Sequence, residues 1–316
     1  MRVLVTGGAG FIGSNFVRMA LSGNLGDISE VVVLDKLTYA GNIEHLSFAM
    51  DNPKFSFIEG DICDSKIVLE SMAGVDAVLN FAAESHVDRS IKDSSAFIKS
   101  NILGVQVLLD ACVNLKVKRF LQVSTDEVYG SIEFGSWTES EPLLPNSPYA
   151  ASKAAADLIV RSYVNTHNLD AVITRCSNNY GPQQYPEKLI PRFVFALLSG
   201  EKVPIYGDGL NSRDWLHVED HCQGISIVLM KGLKGEIYNI GGGRELTNLE
   251  ITKIILTSLN LPKSRIEYVT DRLGHDRRYS VNWKKVEGLG YSPKMAFDTE
   301  ILRTIDWYRN RFQTYI

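Results

Sequence analysis

The chain has 316 residues, of which 45% are hydrophobic and 22% charged, and its formal net charge is −4. This composition is typical of a folded globular protein and excludes a largely disordered chain. The length suffices for a large lobe and a smaller one. No stretch is basic enough to form a nucleic-acid surface, so an anionic ligand must be held by a few placed cations.

The four cysteines are too few and too irregularly spaced to predict a disulfide framework, a C-x-x-C motif or a zinc site. We therefore expect no metal site. We also expect no apolar run that approaches the roughly 18 residues of a membrane span. The first residues predict a strand rather than a secretory leader. Together these features predict a cytoplasmic protein with no membrane partner.

Strand and helix patterns alternate through the first half of the chain. Strands are predicted at Arg2–Thr6, Val31–Asp35, Phe55–Glu59, Ala77–Phe81, Arg119–Ser124 and Ala171–Arg175. Helices are predicted at Phe11–Leu21, Ala96–Asn114 and Ser147–Asn165. This alternation predicts an α/β fold with a Rossmann-type, doubly wound parallel sheet, which binds ligands at the carboxyl ends of its strands.

The second half of the chain is less regular. Residues 178–191 are rich in Asn, Gly, Gln and Pro and are predicted to form a loop, after which short strands and helices mix. We predict a Rossmann domain over residues 1–177 and a smaller α/β, mainly substrate-binding lobe over residues 178–316. Residues 217–242 are expected to return to the large lobe, because a helix pattern is again followed by an apolar strand.

A glycine-rich loop with Gly7, Gly10 and Gly13 follows the first strand and opens the first helix. Such glycines allow a tight turn and close approach of a pyrophosphate to the N-terminus of the helix. Asp35 ends the second strand about 20 residues further on, where a carboxylate binds the ribose diol of NAD and repels a 2′-phosphate. The alternative is a structural glycine turn. The context favours NAD as the cofactor of residues 1–177.

Further cofactor contacts are expected where the loop and the next strands end. The residues are Phe11 and Ile12 in the loop, Lys36 and Thr38 after the second strand, Asp61 and Ile62 after the third, and Ala82 and Ala83 after the fourth. For Asp61 an equal alternative is the N-cap of a helix that begins near Ser65.

Tyr149 and Lys153 lie one turn apart if Ser147–Asn165 is helical. A tyrosine can act as a base near neutral pH only if a nearby cation lowers its pKa from about 10. Lys153 supplies an ammonium and would also bind the nicotinamide ribose. The alternative is an ordinary amphipathic helix with an exposed lysine. The glycine loop upstream and Ser124-Thr125 at the end of the preceding strand favour catalysis.

The glycine loop together with Tyr149-x-x-x-Lys153 resembles the extended short-chain dehydrogenase/reductase family. The segment Ser124-Thr125-Asp126-Glu127 is similar to the active site of the dTDP-glucose 4,6-dehydratases within it. The similarity continues through residues 82–90, 178–182, 186–191, 207–209 and 274–278, and so covers nearly the whole chain.

The resemblance implies conversion of dTDP-glucose to a 4-keto-6-deoxy sugar nucleotide and water, with NAD regenerated in each turnover. Tyr149 would take the C4 hydroxyl proton while Thr125 bonds the C4 oxygen. Glu127 would remove the C5 proton as general base, and protonated Asp126 would donate to the departing C6 hydroxyl. The division of acid and base between these two residues comes from the family pattern, because spacing alone does not assign it.

The resemblance also implies a sugar-nucleotide pocket in which two arginines bind the diphosphate. The implied residues are Ser85, Asn179, Glu187, Lys188, Leu189, Pro204, Tyr206, Arg213, Asn248, Arg272 and His275. The alternative for each arginine is a solvated surface charge, and for His275 a structural role.

Two other functions use the same cofactor loop. A 4-epimerase, or a 4,6-dehydratase for UDP- or GDP-sugars, shares the scaffold, but an epimerase needs no acid pair at Asp126-Glu127. An NAD-sensing protein needs neither that pair nor Tyr149 and Lys153. The apolar residues of the helices at 96–114 and 147–165 fit a homodimer, which the family pattern implies. They fit a buried core face equally well.

Overall fold

The computed structural model describes residues 1–315. The strands are β1 (Arg2–Thr6), β2 (Glu30–Asp35), β3 (Phe55–Glu59), β4 (Ala77–Asn80), β5 (Arg119–Thr125), β6 (Ala171–Cys176), β7 (Asn178–Tyr180), β8 (Val203–Tyr206), β9 (Ser212–His217), β10 (Ile237–Ile240), β11 (Glu245–Thr247) and β12 (Ile266–Val269). The helices are α1 (Phe11–Leu21), α2 (Ser65–Ser71), α3 (Val87–Lys92), α4 (Ser95–Ile98), α5 (Gly104–Leu115), α6 (Pro148–His167), α7 (Leu189–Leu198), α8 (Val218–Lys231), α9 (Asn248–Ser258), α10 (Lys284–Glu287) and α11 (Phe297–Tyr315).

Seven parallel strands form the main sheet in the order β10-β6-β5-β4-β1-β2-β3. The chain runs outward from β1 to β3 and resumes at β4, on the other side of β1. The strand order therefore reverses between β1 and β4, and a ligand crevice forms at such a reversal. The predicted Rossmann-type, doubly wound parallel sheet is confirmed.

The three central residues of β1 are all apolar because helices cover both faces of the sheet. Val3 and Val5 pack in the same core cluster as Phe16 of α1. Leu4 points to the opposite face and packs in the cluster that contains Leu108 of α5. A parallel strand buried on both faces needs a continuous apolar run rather than an alternating one.

The predicted long helix at Ala96–Asn114 is present but not regular. A π-helical segment, Lys99–Leu103, joins α4 to α5. Within it, the Asn101 side chain accepts a hydrogen bond from Glu84 N (2.9 Å) and donates to Glu84 O (3.0 Å) and Ser152 Oγ (2.9 Å). These bonds to the loop after β4 and to α6 explain the π-helical segment, which periodicity in the sequence does not reveal.

A smaller lobe lies beyond the carboxyl edge of the sheet. It contains the sheets β11-β9-β7 and β12-β8 and a third core cluster, with residues of α7, α9 and α11. The prediction of a loop over residues 178–191 was wrong at both ends, because β7 and the start of α7 lie within it. β7 pairs with β9, which is distant in sequence.

The helix α8 and the strand β10 follow the first part of the smaller lobe. β10 pairs with β6 and forms one edge of the main sheet. The division into domains at residues 177 and 178 stays a prediction.

One helical stretch, Ser95–Leu115, is long and apolar enough to cross a membrane by length and composition alone. The expectation that no apolar run approaches that length was therefore wrong. The core helix of a water-soluble protein passes the same test. In this structure the stretch packs against α6 and α2.

Candidate active site

A cleft of about 300 Å³ opens above the carboxyl ends of the parallel strands. Every residue predicted to bind the cofactor or to act in catalysis lines it. These residues are Gly7, Gly10, Phe11, Ile12, Gly13, Asp35, Lys36, Thr38, Asp61, Ile62, Ala82, Ala83, Thr125, Asp126, Glu127, Tyr149 and Lys153. Four of the predicted substrate residues line it too: Ser85, Asn179, Glu187 and Lys188.

The turn between β1 and α1 leaves no space for side chains. Gly7 has φ of +68°, and a Cβ there would lie 2.6 Å from Ala82 N. A Cβ on Gly13 would lie 2.3 Å from Gly7 O. Gly10 is the N-cap of α1 and has no side chain to bond the first N–H groups of the helix. A helix N-terminus of this kind fits a pyrophosphate.

The Asp35 carboxylate, at the end of β2, lines the cleft beside the glycine loop. Its Oδ2 accepts a hydrogen bond from Ala9 N and its Oδ1 one from Leu37 N, both at 2.9 Å. Burial raises the pKa of Asp35, and these backbone donors oppose the rise. The bonds join the end of β2 to the glycine loop. A carboxylate in this place fits the ribose diol of NAD.

Asp61 accepts hydrogen bonds from Lys36 Nζ at 2.7 Å and from Cys63 N at 2.9 Å. The N-cap of α2 is Asp64, whose side chain accepts from the N–H groups of Lys66 and Ile67. The alternative N-cap role for Asp61 was therefore wrong. Asp61 instead lies in the wall of the cleft.

The acid pair lies in a 3-10 turn, Asp126–Tyr129, directly after β5. Thr125 Oγ1 accepts a hydrogen bond from Glu127 N and donates one to Asp126 Oδ1, both at 3.3 Å. The Thr125 side chain thus caps the turn and orders the two acids that follow it.

Tyr149 and Lys153 share the buried side of α6, which begins after the Ser147 N-cap. Tyr149 N donates to Ser90 Oγ of α3 at 3.1 Å, and Lys153 Nζ donates to Val123 O of β5 at 2.7 Å. The first bond fixes the start of α6 against α3, and the second fixes it against the end of β5. The alternative, an ordinary helix with an exposed lysine, is excluded because Lys153 is 4% exposed.

Burial raises the pKa of both carboxyl groups of the acid pair. For Asp126, the charges of Glu127 and Asp214 add to the effect of burial, and its pKa lies well above the ordinary value. For Glu127, three cations oppose the effect of burial: Lys188, Arg213 and Arg272. The arrangement separates the two acids electrostatically, so that one can be neutral while the other is ionised.

Burial also raises the pKa of Tyr149 well above its ordinary value, and the charge of Glu127 adds to this. Burial lowers the pKa of Lys153, while Asp157 raises it. The protein alone therefore keeps the phenol protonated. Ionisation of Tyr149 near neutral pH requires positive charge from the bound cofactor, or protonation of a nearby carboxylate.

The far wall of the cleft comes from the loop before α7. Lys188 Nζ donates to Ser85 O at 2.8 Å, and Glu187 accepts from Tyr39 Oη at 3.1 Å. Burial lowers the pKa of Lys188 and the neighbouring Glu187 raises it. These bonds connect the smaller lobe to loops of the main sheet.

The other predicted substrate residues lie outside the cleft wall. They are Leu189 at the start of α7, Pro204 and Tyr206 in β8, Arg213 in β9, Asn248 at the start of α9, and Arg272 and His275 in the loop after β12. The structure places the charges of Arg213 and Arg272 where they act on Glu127. Tyr206 and His275 contact each other, with ring centroids 6.1 Å apart.

Several residues near these arginines were not predicted from the sequence. Arg213 donates to Asp276 O at 3.0 Å, its guanidinium lies 4.3 Å from the Tyr279 ring centroid, and Arg272 pairs with Asp88 at 3.3 Å. Cys176 and Ser177 also line the cleft. Their position at the end of the predicted strand Ala171–Arg175 was the signal that could have identified these last two.

Within residues 1–315, no group of three or more His, Cys, Asp or Glu side chains could hold a metal ion. The described cysteines are free thiols.

Comparison with known proteins gives the family. A family model described as GDP-mannose 4,6 dehydratase matches residues 4–304. The chain belongs to this family. The dTDP-glucose 4,6-dehydratase of Actinoplanes sp. is 56% identical over 98% of this chain and 98% of its own length. The predicted resemblance to the extended short-chain dehydrogenase/reductases, and to dTDP-glucose 4,6-dehydratases within them, is confirmed.

Solved structures of the same fold include enzymes of two activities. DesIV, the dTDP-glucose 4,6-dehydratase of Streptomyces venezuelae solved with NAD, has a TM-score of 0.97 and 56% identity, covering 98% of each chain. The UDP-glucose 4-epimerase of Thermotoga maritima, solved with UDP-glucose, has a TM-score of 0.89 and 30% identity, covering 98% of this chain and 99% of its own. The dehydratase is thus closer than the epimerase in sequence and structure.

Proposed function

We propose that this member of the 4,6-dehydratase family converts dTDP-glucose to dTDP-4-keto-6-deoxyglucose and water. One observation carries the proposal: the buried Asp126 and the partly buried Glu127 lie beside Tyr149 in a cleft that begins at a dinucleotide-binding loop. Oxidation at C4 needs only the loop and the tyrosine. Two further acids at the same place are what the elimination of water requires.

The roles of the side chains follow from their positions. Bound NAD supplies a hydride acceptor at C4 and, later, a hydride donor at C6. Tyr149 takes the proton of the C4 hydroxyl and Thr125 bonds the C4 oxygen. Lys153 bonds the nicotinamide ribose. The C4 ketone acidifies the C5 proton, which Glu127 removes.

Asp126 donates its proton to the C6 hydroxyl, which leaves as water. When hydride is restored to C6, Glu127 returns its proton to C5, and the proton taken by Tyr149 balances the one that Asp126 lost. Its raised pKa supports this role, because a neutral carboxylic acid is needed at that moment. The cations around Glu127 oppose the effect of burial and support its role as the ionised base. The electrostatics thus favour the assignment that the family pattern implies.

The cofactor contacts are proposed at the residues that line the cleft from Gly7 to Ala83. The diphosphate of the substrate is proposed to bind Arg213 and Arg272, since planar guanidinium groups bind phosphate oxygens in pairs. The positive charge of both residues near Glu127 supports a sugar placed between them and Tyr149. Residues 1–177 with 217–242 would then hold NAD, and most of residues 178–316 the sugar nucleotide.

A homodimer is proposed through α4, α5 and α6. Ile98 of α4, Leu103 of the π-helical segment before α5 and Leu158 of α6 are about half exposed, with 53%, 47% and 55% of their surface accessible. Exposed apolar side chains on adjacent helices support an interface. A cytoplasmic location is proposed because free thiols are the form that a reducing compartment maintains.

The direct test is incubation of the purified protein with dTDP-glucose and no added NAD, followed by proton NMR. We expect a new C6 methyl signal and loss of the C4 proton signal. Protein that contains NAD yet forms no methyl group would exclude the proposal. Parallel incubations with UDP-glucose and GDP-mannose distinguish the nucleotide preference.

The same incubations separate the alternatives. A 4-epimerase would invert C4 without forming a methyl group. An NAD-sensing protein would leave every sugar nucleotide unchanged and would exchange NAD freely. The presence of Asp126 and Glu127 in the cleft argues against both alternatives, because neither activity needs an acid pair.

A further inference from the structure

A buried ion pair lies one helical turn beyond Lys153. Arg175 Nε of β6 donates to Asp157 Oδ2 of α6 at 2.9 Å, and the two side chains are 3% and 2% exposed. Neither residue lines the cleft. Asp157 lies on the buried side of α6 and Arg175 on the neighbouring strand β6, so the pair joins the catalytic helix to the sheet.

The position of the pair ties it to Lys153. Asp157 follows Lys153 by four residues, so both project from the same side of α6. Lys153 Nζ donates to Val123 O, and the next residue, Ser124, is the register partner of Arg175. Asp157 is thus paired directly with Arg175, and its charge also acts on Lys153. The Ser124 side chain lies against the same carboxylate.

Without Asp157, Lys153 would be poorly stabilised as a cation. Its Nζ is bonded to a neutral carbonyl oxygen, and burial favours the neutral amine. The charge of Asp157 opposes this effect. Burial in turn favours a neutral Asp157, and Arg175 opposes that. Arg175 is itself held over the Tyr129 ring, 4.7 Å from its centroid.

We propose that Asp157 and Arg175 are positioning residues that keep Lys153 charged beneath Tyr149 during the reaction. The inference rests on the proposed function. Arg175 keeps Asp157 ionised, Asp157 keeps Lys153 charged, and the charge on Lys153 favours ionisation of Tyr149. Asp157 and Arg175 carry no net charge together, so the ammonium of Lys153 leaves one net positive charge under the phenol, which favours its ionised form.

Other groups face this cluster from the neighbouring elements. Titratable groups come from the turn after β5 and from β6, and uncharged polar groups from α3 and the π-helical segment. They are Asp126, Glu127 and Cys176, with Ser90 and Asn101. Of these groups Cys176 also acts on Lys153, but burial raises the pKa of its thiol. Asp157, which Arg175 holds in place, is therefore the anion next to Lys153.

The test is the pH dependence of kcat/KM in the NAD-containing enzyme. Asp157→Asn keeps the shape and removes the charge, so Lys153 should lose its proton at lower pH. We expect the alkaline limb of the profile to move to lower pH by about one pH unit, which corresponds to a tenfold change in the proton affinity of Lys153. Asp157→Glu retains the charge and should restore the limb.

A matched control separates this effect from a loss of packing. Val160→Ala removes buried apolar volume from the same helix. It should lower the melting temperature and leave the limb in place. An alkaline limb at the wild-type position in Asp157→Asn would overturn the proposal, even if the activity fell at every pH.

A second measurement uses the wild-type enzyme, so its result does not depend on whether a variant folds. Enzyme with 13C-labelled lysine is titrated by NMR, with Lys153→Met to assign the signal. Lys153 should remain an ammonium through neutral pH, and a neutral amine there would contradict the inference. If the wild type forms no product, the proposed function fails, while this titration still tests the charge on Lys153.

Discussion

The phenol of Tyr39 donates a hydrogen bond to Glu187 at 3.1 Å across the mouth of the cleft. Tyr39 lies between two cleft residues in the loop after β2, and Glu187 lies in the loop before α7. The guanidinium of Arg89 lies 3.7 Å from the centroid of the Tyr39 ring. This hydrogen bond therefore joins the loop after β2, on the side of the cleft proposed to bind NAD, directly to the loop before α7, on the side proposed to bind the sugar.

The first prediction is that Tyr39→Phe releases NAD faster. A hydrogen bond to a carboxylate contributes about 1.5 kcal/mol or more, so we expect roughly tenfold faster release. The measurement is the NAD that remains bound during repeated buffer exchange. Tyr185→Phe is the control, because it removes a hydroxyl from the ring that meets Tyr39 edge-on and leaves the bond to Glu187. Equal retention by both variants would contradict this role.

The second prediction concerns the C5 proton. Glu127→Gln should still oxidise C4, seen as a transient rise in the absorbance of reduced nicotinamide. It should not exchange the C5 hydrogen with deuterated solvent, and product formation should fall by about 10²–10⁴-fold, the usual loss for a general base.

Asp126→Asn is the matched variant for that experiment. It should retain C5 exchange and slow the loss of water, because only the proton donor is removed. If C5 exchange persists at the normal rate in Glu127→Gln, Glu127 is not the base.

The third prediction is that Asp126→Asn stabilises the fold above acidic pH. The pKa of Asp126 is higher in the folded state than its ordinary value, chiefly through burial. The folded state then binds the proton more tightly, so stability falls as pH rises from the unfolded pKa through the folded pKa. An asparagine removes this loss.

Thermal unfolding across pH measures the effect. The gain of Asp126→Asn over the wild type should be small below pH ~4, near the pKa of an unfolded aspartate, and should grow as pH rises. Asp51→Asn, at an exposed position, is the control and should show no such trend. A gain that does not change with pH would show that burial of the charge is not its cause.

The fourth prediction is that Gly13→Ala lowers both the free energy of unfolding and the affinity for NAD. Its Cβ would lie 2.3 Å from Gly7 O, a backbone atom that no rotamer change can move. We expect a loss of about 1–3 kcal/mol, as for overpacking. In Gly10→Ala the Cβ would lie 3.3 Å from the same oxygen, and φ there is −78°. This variant should melt closer to the wild type, and equal melting temperatures for both would argue against the clash.

The sequence by itself determined the Rossmann sheet and most of the cleft. Alternating apolar strands and amphipathic helices are local patterns, and the carboxyl ends of parallel strands meet at one edge. Asp35 at the end of β2, Asp126 directly after β5 and Cys176 at the end of β6 therefore had to converge, whatever the details of packing. The resemblance added the roles of these residues and the substrate.

Only the tertiary structure decided which groups surround them. The π-helical segment depends on bonds from Asn101 to Glu84 and Ser152, which lie 17 and 51 residues away. The pairing of Asp157 with Arg175 joins a helix to a strand through a contact that no local pattern encodes. Ionisation follows burial and the sum of nearby charges, and both are properties of the folded chain. For that reason, the sequence could identify Asp126 and Glu127 as an acid pair, while their different electrostatic surroundings came from the fold.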